Sequence, residues 1–316
     1  MHSNSEFKIA LIGTGNIAVT MADAISKSGE AEVVSVASRD RDRAERFAKE
    51  HGIANAYESY DELIGSDGYD LIYVSTINPL HFGIASACLK AGKPVIVEKP
   101  ICMKVDEVRE LIRLSRETNT FLAEAMPLRY SSNMKTVKEL VDNGSIGKVR
   151  LLVSNIGIDC WGVPRIREKS MGGGALYDLG VYGLTISDMV FPDEPEDIVS
   201  ACNIENEVDS QNTVVISYKD AQSMLFSSVK LQTKGAAVIY GDRGRIFIHK
   251  AYNADKVVKY AGFRSIKTYR NKENRYAKEI TACKRAILDG RIEPYEYTHD
   301  DMLKIYEKVD GVLRKK

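Results

Sequence analysis

The chain has 316 residues, 44% of them hydrophobic, enough to build the cores of two domains of ordinary size. Lys plus Arg total 44 and Asp plus Glu total 44, so no net field favours a nucleic acid, an anionic membrane surface or a strongly acidic partner, and a small, individually positioned ligand fits better. Five cysteines without CxxC or Cys/His spacing read as reduced thiols in a cytoplasmic protein with no zinc site, and the absence of a signal-like start or an apolar run of about 18 residues argues against secretion and membrane insertion.

The first predicted strand, FKIALI, ends in Gly13-Thr14-Gly15-Asn16-Ile17-Ala18. A glycine turn between a strand and a helix lets backbone amides and the helix N-terminus hold a pyrophosphate. The following helix carries Ile17, Met21, Ala24 and Ile25 on one side, which raises a common turn pattern to a dinucleotide fingerprint; Gly13, Gly15, Asn16 and Ile17 are its candidate contacts. The second strand, EVVSVA, ends in Ser38-Arg39, where NAD-binding versions usually place an Asp or Glu on the ribose hydroxyls. A hydroxyl beside a guanidinium suits a 2′-phosphate. NADP(H) is therefore the expected preference and NAD(H) the alternative. Asp40, one residue on, complicates that reading, and the run from Arg39 to Arg43 also reads as a solvated helix entry.

Further short β-branched runs follow at NAYES, LIYVS, PVIVE and TFLAE, alternating with helix-like stretches. Strands separated by helices imply right-handed crossovers and a parallel sheet covered on both faces. Ser59 with Glu62 resembles a capping box. Val105, Val108, Leu111, Ile112 and Ser115 make a helical face that ends near Thr118-Asn119. The expected first domain, a Rossmann dinucleotide-binding unit, covers residues 1–123.

The pattern changes after Glu124. A helix over Ser132 to Asp142 is closed by Asn143-Gly144, and a strand runs over Val149 to Ile156. From Glu196 onward IVSACNI, NTVVISY, SMLFSSVKL, AAVIYG, RIFIH and KVVKY come at short spacing, separated by turns such as Lys219-Asp220 and Gly241-Asp242. They predict a large, mainly antiparallel open sheet in an α+β domain over residues 124–316. Two final helices, about Arg275 to Leu288 and His299 to Leu313, are expected to cover one face of it. The other face then calls for a partner, so a homodimer or homotetramer through this sheet is expected.

Two places carry candidate chemistry. Glu98-Lys99-Pro100 lies at the carboxyl end of the fifth strand, where open α/β sheets bind ligands; a lysine there also reads as an ordinary surface residue, though the proline permits a bond geometry that aims it inward. Gly172-Gly173-Gly174 precedes Ala175-Leu176-Tyr177-Asp178-Leu179-Gly180-Val181-Tyr182. Asp178 and Tyr182 fall one helical turn apart on a shared face, which suits either a catalytic pair or a buried tyrosine satisfied by an acid. Backbone without Cβ at the glycines would let a ring or sugar approach closely.

With GTGNIA at 13–18, Thr76-Ile77-Asn78-Pro79-Leu80-His81, AGKPVIVEKP at 91–100, EAMPLRY at 124–130 and GGGALYDLGVYGL at 172–184, nearly the whole chain resembles the Gfo/Idh/MocA family of NAD(P)-dependent oxidoreductases. It looks most like the branch with dihydrodiol dehydrogenase, glucose–fructose oxidoreductase and NADP-dependent xylose dehydrogenases, in which a tyrosine stands where inositol dehydrogenases carry histidine. The resemblance implies hydride transfer between nicotinamide and a hydroxyl or carbonyl carbon of a sugar, cyclic polyol or trans-dihydrodiol. It further implies that Lys99 and Tyr182 act in proton transfer and that Asp178 orients or polarises the reacting group. Thr76, Asn78, His81, Glu98 and Lys99 join the cofactor contacts, and Arg129, Trp161 and Tyr182 the substrate contacts. His81 as a capping or core residue, and Trp161 as a packing anchor, remain open. Some relatives of this kind bind a dinucleotide as regulatory sensors, which is the alternative role.

Overall fold

The computed structural model describes residues 7–314, and they form two compact units. The first unit runs to Pro127 and takes in Asn274–His299; the second comprises Leu128–Glu273 and the chain from Asp300.

In the first unit β1 (Phe7–Ile12), β2 (Ala31–Ala37), β3 (Asn55–Tyr57), β4 (Leu71–Val74), β5 (Val95–Glu98) and β6 (Leu122–Ala125) form one sheet in the order β3-β2-β1-β4-β5-β6. Every pairing is parallel. All residues of β4, β5 and β6 are buried, as expected for strands covered on both faces. The helices are α1 (Asn16–Ser28), α2 (Arg41–His51), α3 (Tyr60–Gly65), α4 (His81–Lys90) and α5 (Val105–Thr118). Ser59 Oγ accepts from the Glu62 amide at 3.1 Å to cap α3. The face of α5 predicted from Val105 to Ser115 is buried, and the helix stops at Asn119 in the left-handed conformation. Strand order reverses between β1 and β4, so their carboxyl ends open the crevice in which such sheets bind ligands.

The helix Arg275–Leu288 packs in this first unit, which corrects its expected place on the C-terminal sheet. Its Ile280, Cys283 and Ala286 are buried with Ile9, Leu11, Met21 and Ile25 of β1 and α1. Lys284 Nζ also donates to the Glu30 carbonyl at 2.7 Å. Its amphipathic period required an apolar neighbour, but any apolar face satisfies a period.

The second unit is built on β7 (Val149–Gly157), β8 (Asp197–Glu205), β9 (Val208–Tyr218), β10 (Ala221–Ser228), β11 (Ala236–Gly241), β12 (Arg245–His249), β13 (Lys256–Ala261) and β14 (Arg264–Arg270). Their order is β14-β13-β12-β11-β7-β10-β9-β8, and only β7 with β10 is parallel. Besides α6 (Ser132–Asp142) and the short α7 (Pro164–Arg167), the unit holds α8 (Val181–Val190), all ten residues of which are buried. Helix α8 lies against the inner face, with Gly183 beside Leu225 of β10 and Ser154 of β7; burying its Leu184 and Ile186 is worth about 1.5–3 kcal/mol each. The helix His299–Arg314 also covers this unit, and Ser200 of β8 donates to its Val312 carbonyl at 3.2 Å.

On the opposite face the pairing register places Val199, Val215, Met224, Val153, Val238 and Phe247 in one row across six strands. Val199 is 55% and Met224 44% exposed.

Candidate active site

In the first unit the two glycines of the turn do different work. Gly13 has φ +108°, and a Cβ there would lie 2.7 Å from the Ser75 carbonyl oxygen, so the fold itself demands glycine. A Cβ at Gly15 would meet nothing within 4 Å. Gly15 is also the N-cap of α1 with no side chain capping the helix, which leaves open space above unengaged helix amides, as a bound pyrophosphate requires. Asn16 is exposed and Ile17 partly buried beside it.

At the end of β2, Ser38 is buried and Arg39 exposed. The neighbouring carboxylate is committed elsewhere: Asp40 caps α2, its Oδ1 accepting from the Arg43 amide at 3.1 Å, while its own amide donates to Ser38 Oγ at 3.3 Å. Arg39 takes part in no ion pair among the described residues, whereas Arg41 is held by Glu45 and Glu58.

The ends of β4 and β5 carry a buried polar assembly. Thr76 and Asn78 lie partly buried in the turn into α4. His81, at the head of that helix, has no exposed surface; its Nδ1 is 2.8 Å from the Pro100 carbonyl oxygen and its Nε2 3.1 Å from that of Thr76. Burial pushes the imidazole below its usual range, against the opposing pull of the two carbonyls. The structure thus places His81 in the core, with one ring nitrogen toward each of two loops. Glu98 accepts from Tyr73 Oη at 2.5 Å and from the Lys99 amide at 3.2 Å, and burial raises its carboxyl despite the help of Tyr73 and Lys99. The Lys99-Pro100 bond is cis and Lys99 is partly buried.

Sequence reasoning missed three neighbours. Glu124 of β6 accepts from the Ile101 amide at 3.0 Å and from Tyr297 Oη at 2.6 Å. Glu279 is fully buried, and neither of its oxygens has a hydrogen-bond partner among the described residues. The available signal was an acid inside apolar surroundings, as in TFLAEA. Burial, then the nearby Glu98 charge, push Glu279 well above the ordinary carboxylate range, so the folded state keeps a proton that the unfolded chain releases near pH 4.3. Its stabilising contribution is complete below that pH and is lost as pH rises toward the folded value. E279Q should therefore match wild type in urea unfolding near pH 4 and gain on it toward pH 8, by at most about 1.4 kcal/mol per pH unit; a pH-independent difference would rule this out.

In the second unit the glycine run has a structural cause, which corrects the expectation of close ligand approach. A Cβ at Gly173 would lie 2.2 Å from the Ile166 carbonyl oxygen, and one at Gly174, whose φ is +120°, 2.5 Å from Asp209 Oδ1. Asp209 in turn accepts from the Leu176 amide at 2.8 Å and from Asn212 Nδ2 at 2.6 Å. It thereby anchors the start of a π-helical turn, Leu176–Gly180, which runs into α8. Such turns recur at functional sites because they reset which side chains face inward. Asp178 lies in the π turn, its Oδ1 accepting from Arg165 Nη1 at 3.1 Å, and Tyr182 is 8% exposed in the first turn of α8.

Arg129, with buried Asp188 and Lys308 and the partly exposed Asp301, enters an ion cluster within the same unit. Its Nη2 lies 3.2 Å from Asp301 Oδ2 and 3.5 Å from Asp188 Oδ2, and Lys308 Nζ lies 2.8 Å from Asp188 Oδ1. Two cations thus offset two carboxylates, and removing one partner of such a set is costly. Trp161 is partly buried with Lys230 Nζ 5.3 Å from its ring centre. No group of His, Cys, Asp and Glu among the described residues is arranged to hold a metal ion. No described helix is long and apolar enough to cross a membrane.

Residues 7–125 match a sequence family described as "Oxidoreductase family, NAD-binding Rossmann fold", and residues 134–247 match the GFO/IDH/MocA C-terminal domain. A trans-1,2-dihydrobenzene-1,2-diol dehydrogenase from Xenopus tropicalis is 36% identical over 220 residues, covering 69% of this chain and 67% of the relative. KijD10, a 3-ketoreductase from Actinomadura kijaniata solved with NADP and TDP-benzene, superposes with a TM-score of 0.87 at 25% identity over 98% of each chain. An aldose-aldose oxidoreductase from Caulobacter crescentus, solved with glycerol, has the same fold at TM-score 0.89 and 21% identity, covering 98% of this chain and 97% of its own.

Proposed function

The chain belongs to the Gfo/Idh/MocA family of NAD(P)-dependent oxidoreductases, and on that premise we propose that it is an NADP-dependent dehydrogenase acting on a hydroxyl or carbonyl carbon of a trans-dihydrodiol, sugar or cyclic polyol. When bound, the nicotinamide supplies or accepts the hydride; the protein must exchange one proton with the substrate oxygen and stabilise its developing charge. Lys99 and Tyr182 carry that exchange, Asp178 orients the reacting group, and Trp161 helps wall the substrate. His81, Glu98 and Arg129 hold these residues in place.

The observation that carries the cofactor choice is Asp40 turned into the N-cap of α2. The carboxylate next to Arg39 in sequence is fixed on the Arg43 amide, while Ser38 and the exposed Arg39 remain beside the end of β2. Titration should show NADPH binding more tightly than NADH, and Arg39→Ala should cut that preference about 10–100-fold. Equal affinity for the two cofactors in the wild-type protein would discard the assignment. The dihydrodiol, aldoses and cyclic polyols form the substrate panel, followed by NADPH absorbance.

The apolar row on the outer sheet face supports a homodimer or homotetramer joined through that sheet. Changing Val199 and Met224 together to lysine should convert the assembly to monomers in light scattering. A monomeric wild-type chain would contradict it.

A further inference from the structure

Lys99 sits on a loop whose polar groups are held one after another by buried side chains. Tyr73 Oη donates to Glu98, the Lys99 amide closes back on the same carboxylate, His81 Nδ1 lies 2.8 Å from the Pro100 carbonyl oxygen, and the Ile101 amide donates to Glu124. Glu124 is fixed in turn by Tyr297. The outer holders are almost without solvent exposure: His81 0%, Glu124 1% and Tyr297 2%. They come from α4, from β6 and from the segment after Arg275–Leu288, so the grip is tertiary and no local turn would produce it.

Burying a carboxylate and an imidazole here costs desolvation that apolar residues of the same volume would avoid. What polar partners add is direction, because a hydrogen bond fixes an angle as well as a distance. A side chain that must meet a reacting oxygen gains from that, since a misplacement of about 1 Å can cost about 100-fold in rate. His81 has a second consequence. Its other ring nitrogen lies 3.1 Å from the Thr76 carbonyl oxygen, so the ring sits between the loops that end β4 and β5 and, when neutral, donates to one of them at a time.

We propose that His81, Glu124 and Tyr297 form a clamp that positions Lys99, the first two through the backbone of Pro100 and Ile101 and the third through Glu124. The proposal rests on the reading of Lys99 as a proton-transfer residue, and its consequence for the backbone can be read without any turnover.

Tyr297→Phe and Glu124→Gln remove or weaken single bonds of the clamp while keeping side-chain volume, and circular dichroism with thermal melting confirms that each variant folds. Amide hydrogen exchange on the peptide spanning residues 98–103 should accelerate at least about 10-fold in both, with β1 and α1 unchanged. Turnover of trans-1,2-dihydrobenzene-1,2-diol with NADP should fall about 10–100-fold while the Kd for NADPH stays within about twofold. Introduced into Lys99→Met, the same changes should have no further effect, since residues acting through one group are not additive. Unchanged exchange at 98–103, or an equal loss of turnover in the Lys99→Met background, would overturn the clamp. Wild-type turnover in Lys99→Met alone would instead overturn the role given to Lys99, with the exchange result still deciding whether the loop is clamped.

Discussion

Tyr182→Phe is expected to lower turnover about 10²–10⁴-fold, the usual contribution of a positioned proton donor or acceptor, while NADPH binding stays near wild type. Phe keeps the ring in the buried first turn of α8, where Tyr182 is 8% exposed, so the fold loses little beyond the contacts of one hydroxyl. In the direction of reduction a protonated tyrosine donates directly to the forming alkoxide. Oxidation asks for more, because a free tyrosine titrates near 10 and activating it at neutral pH takes about 4 kcal/mol. Both directions share one transition state and one equilibrium constant, so the variant should lose oxidation and reduction by the same factor in kcat/KM, which running the assay from both sides checks. Wild-type activity in Tyr182→Phe would move the proton to another group.

Lys99→Met is expected to cost about 10²–10³-fold in turnover, the effect of removing one preorganised donor from a developing oxyanion. Methionine approximates the length of the aliphatic stem, so the change isolates the charge. The loss should fall mainly on kcat, because an interaction made only in the transition state does not strengthen ground-state binding. Were Lys99 merely a surface lysine, kcat would be unaffected; were it only a cofactor contact, the Kd for NADPH would rise while kcat at saturation held. The same measurement thus separates three roles for one residue.

The strand and helix order of the first unit is legible because each element there has a strong local pattern: β-branched runs, a glycine turn and a capping serine all declare themselves within about thirty residues. What escaped is tertiary. RSIKTYR shows no apolar alternation, since β14 is an edge strand with almost every residue exposed, and period cannot find a strand that buries nothing. The helix Arg275–Leu288 announces an apolar stripe without saying which unit it covers. Asp40 reads as a rival for the ribose, whereas in the fold its side chain caps α2; Gly173 and Gly174 read as room for a ligand, whereas a Cβ at either would meet Ile166 or Asp209. The π turn at Leu176–Gly180 is set by Asp209, 33 residues away in sequence from the Leu176 amide it accepts. Glu124 and Glu279 were passed over because an acid reads as surface wherever its burial cannot be seen.

The measurement that bears most directly on Lys99 and Tyr182 is turnover of the Lys99→Met/Tyr182→Phe double variant, by NADPH absorbance, beside the wild type and both single variants. If both residues serve one proton exchange at the reacting oxygen, the double variant should be about as slow as the slower single variant. A double variant whose loss equals the product of the two single losses would contradict that shared step.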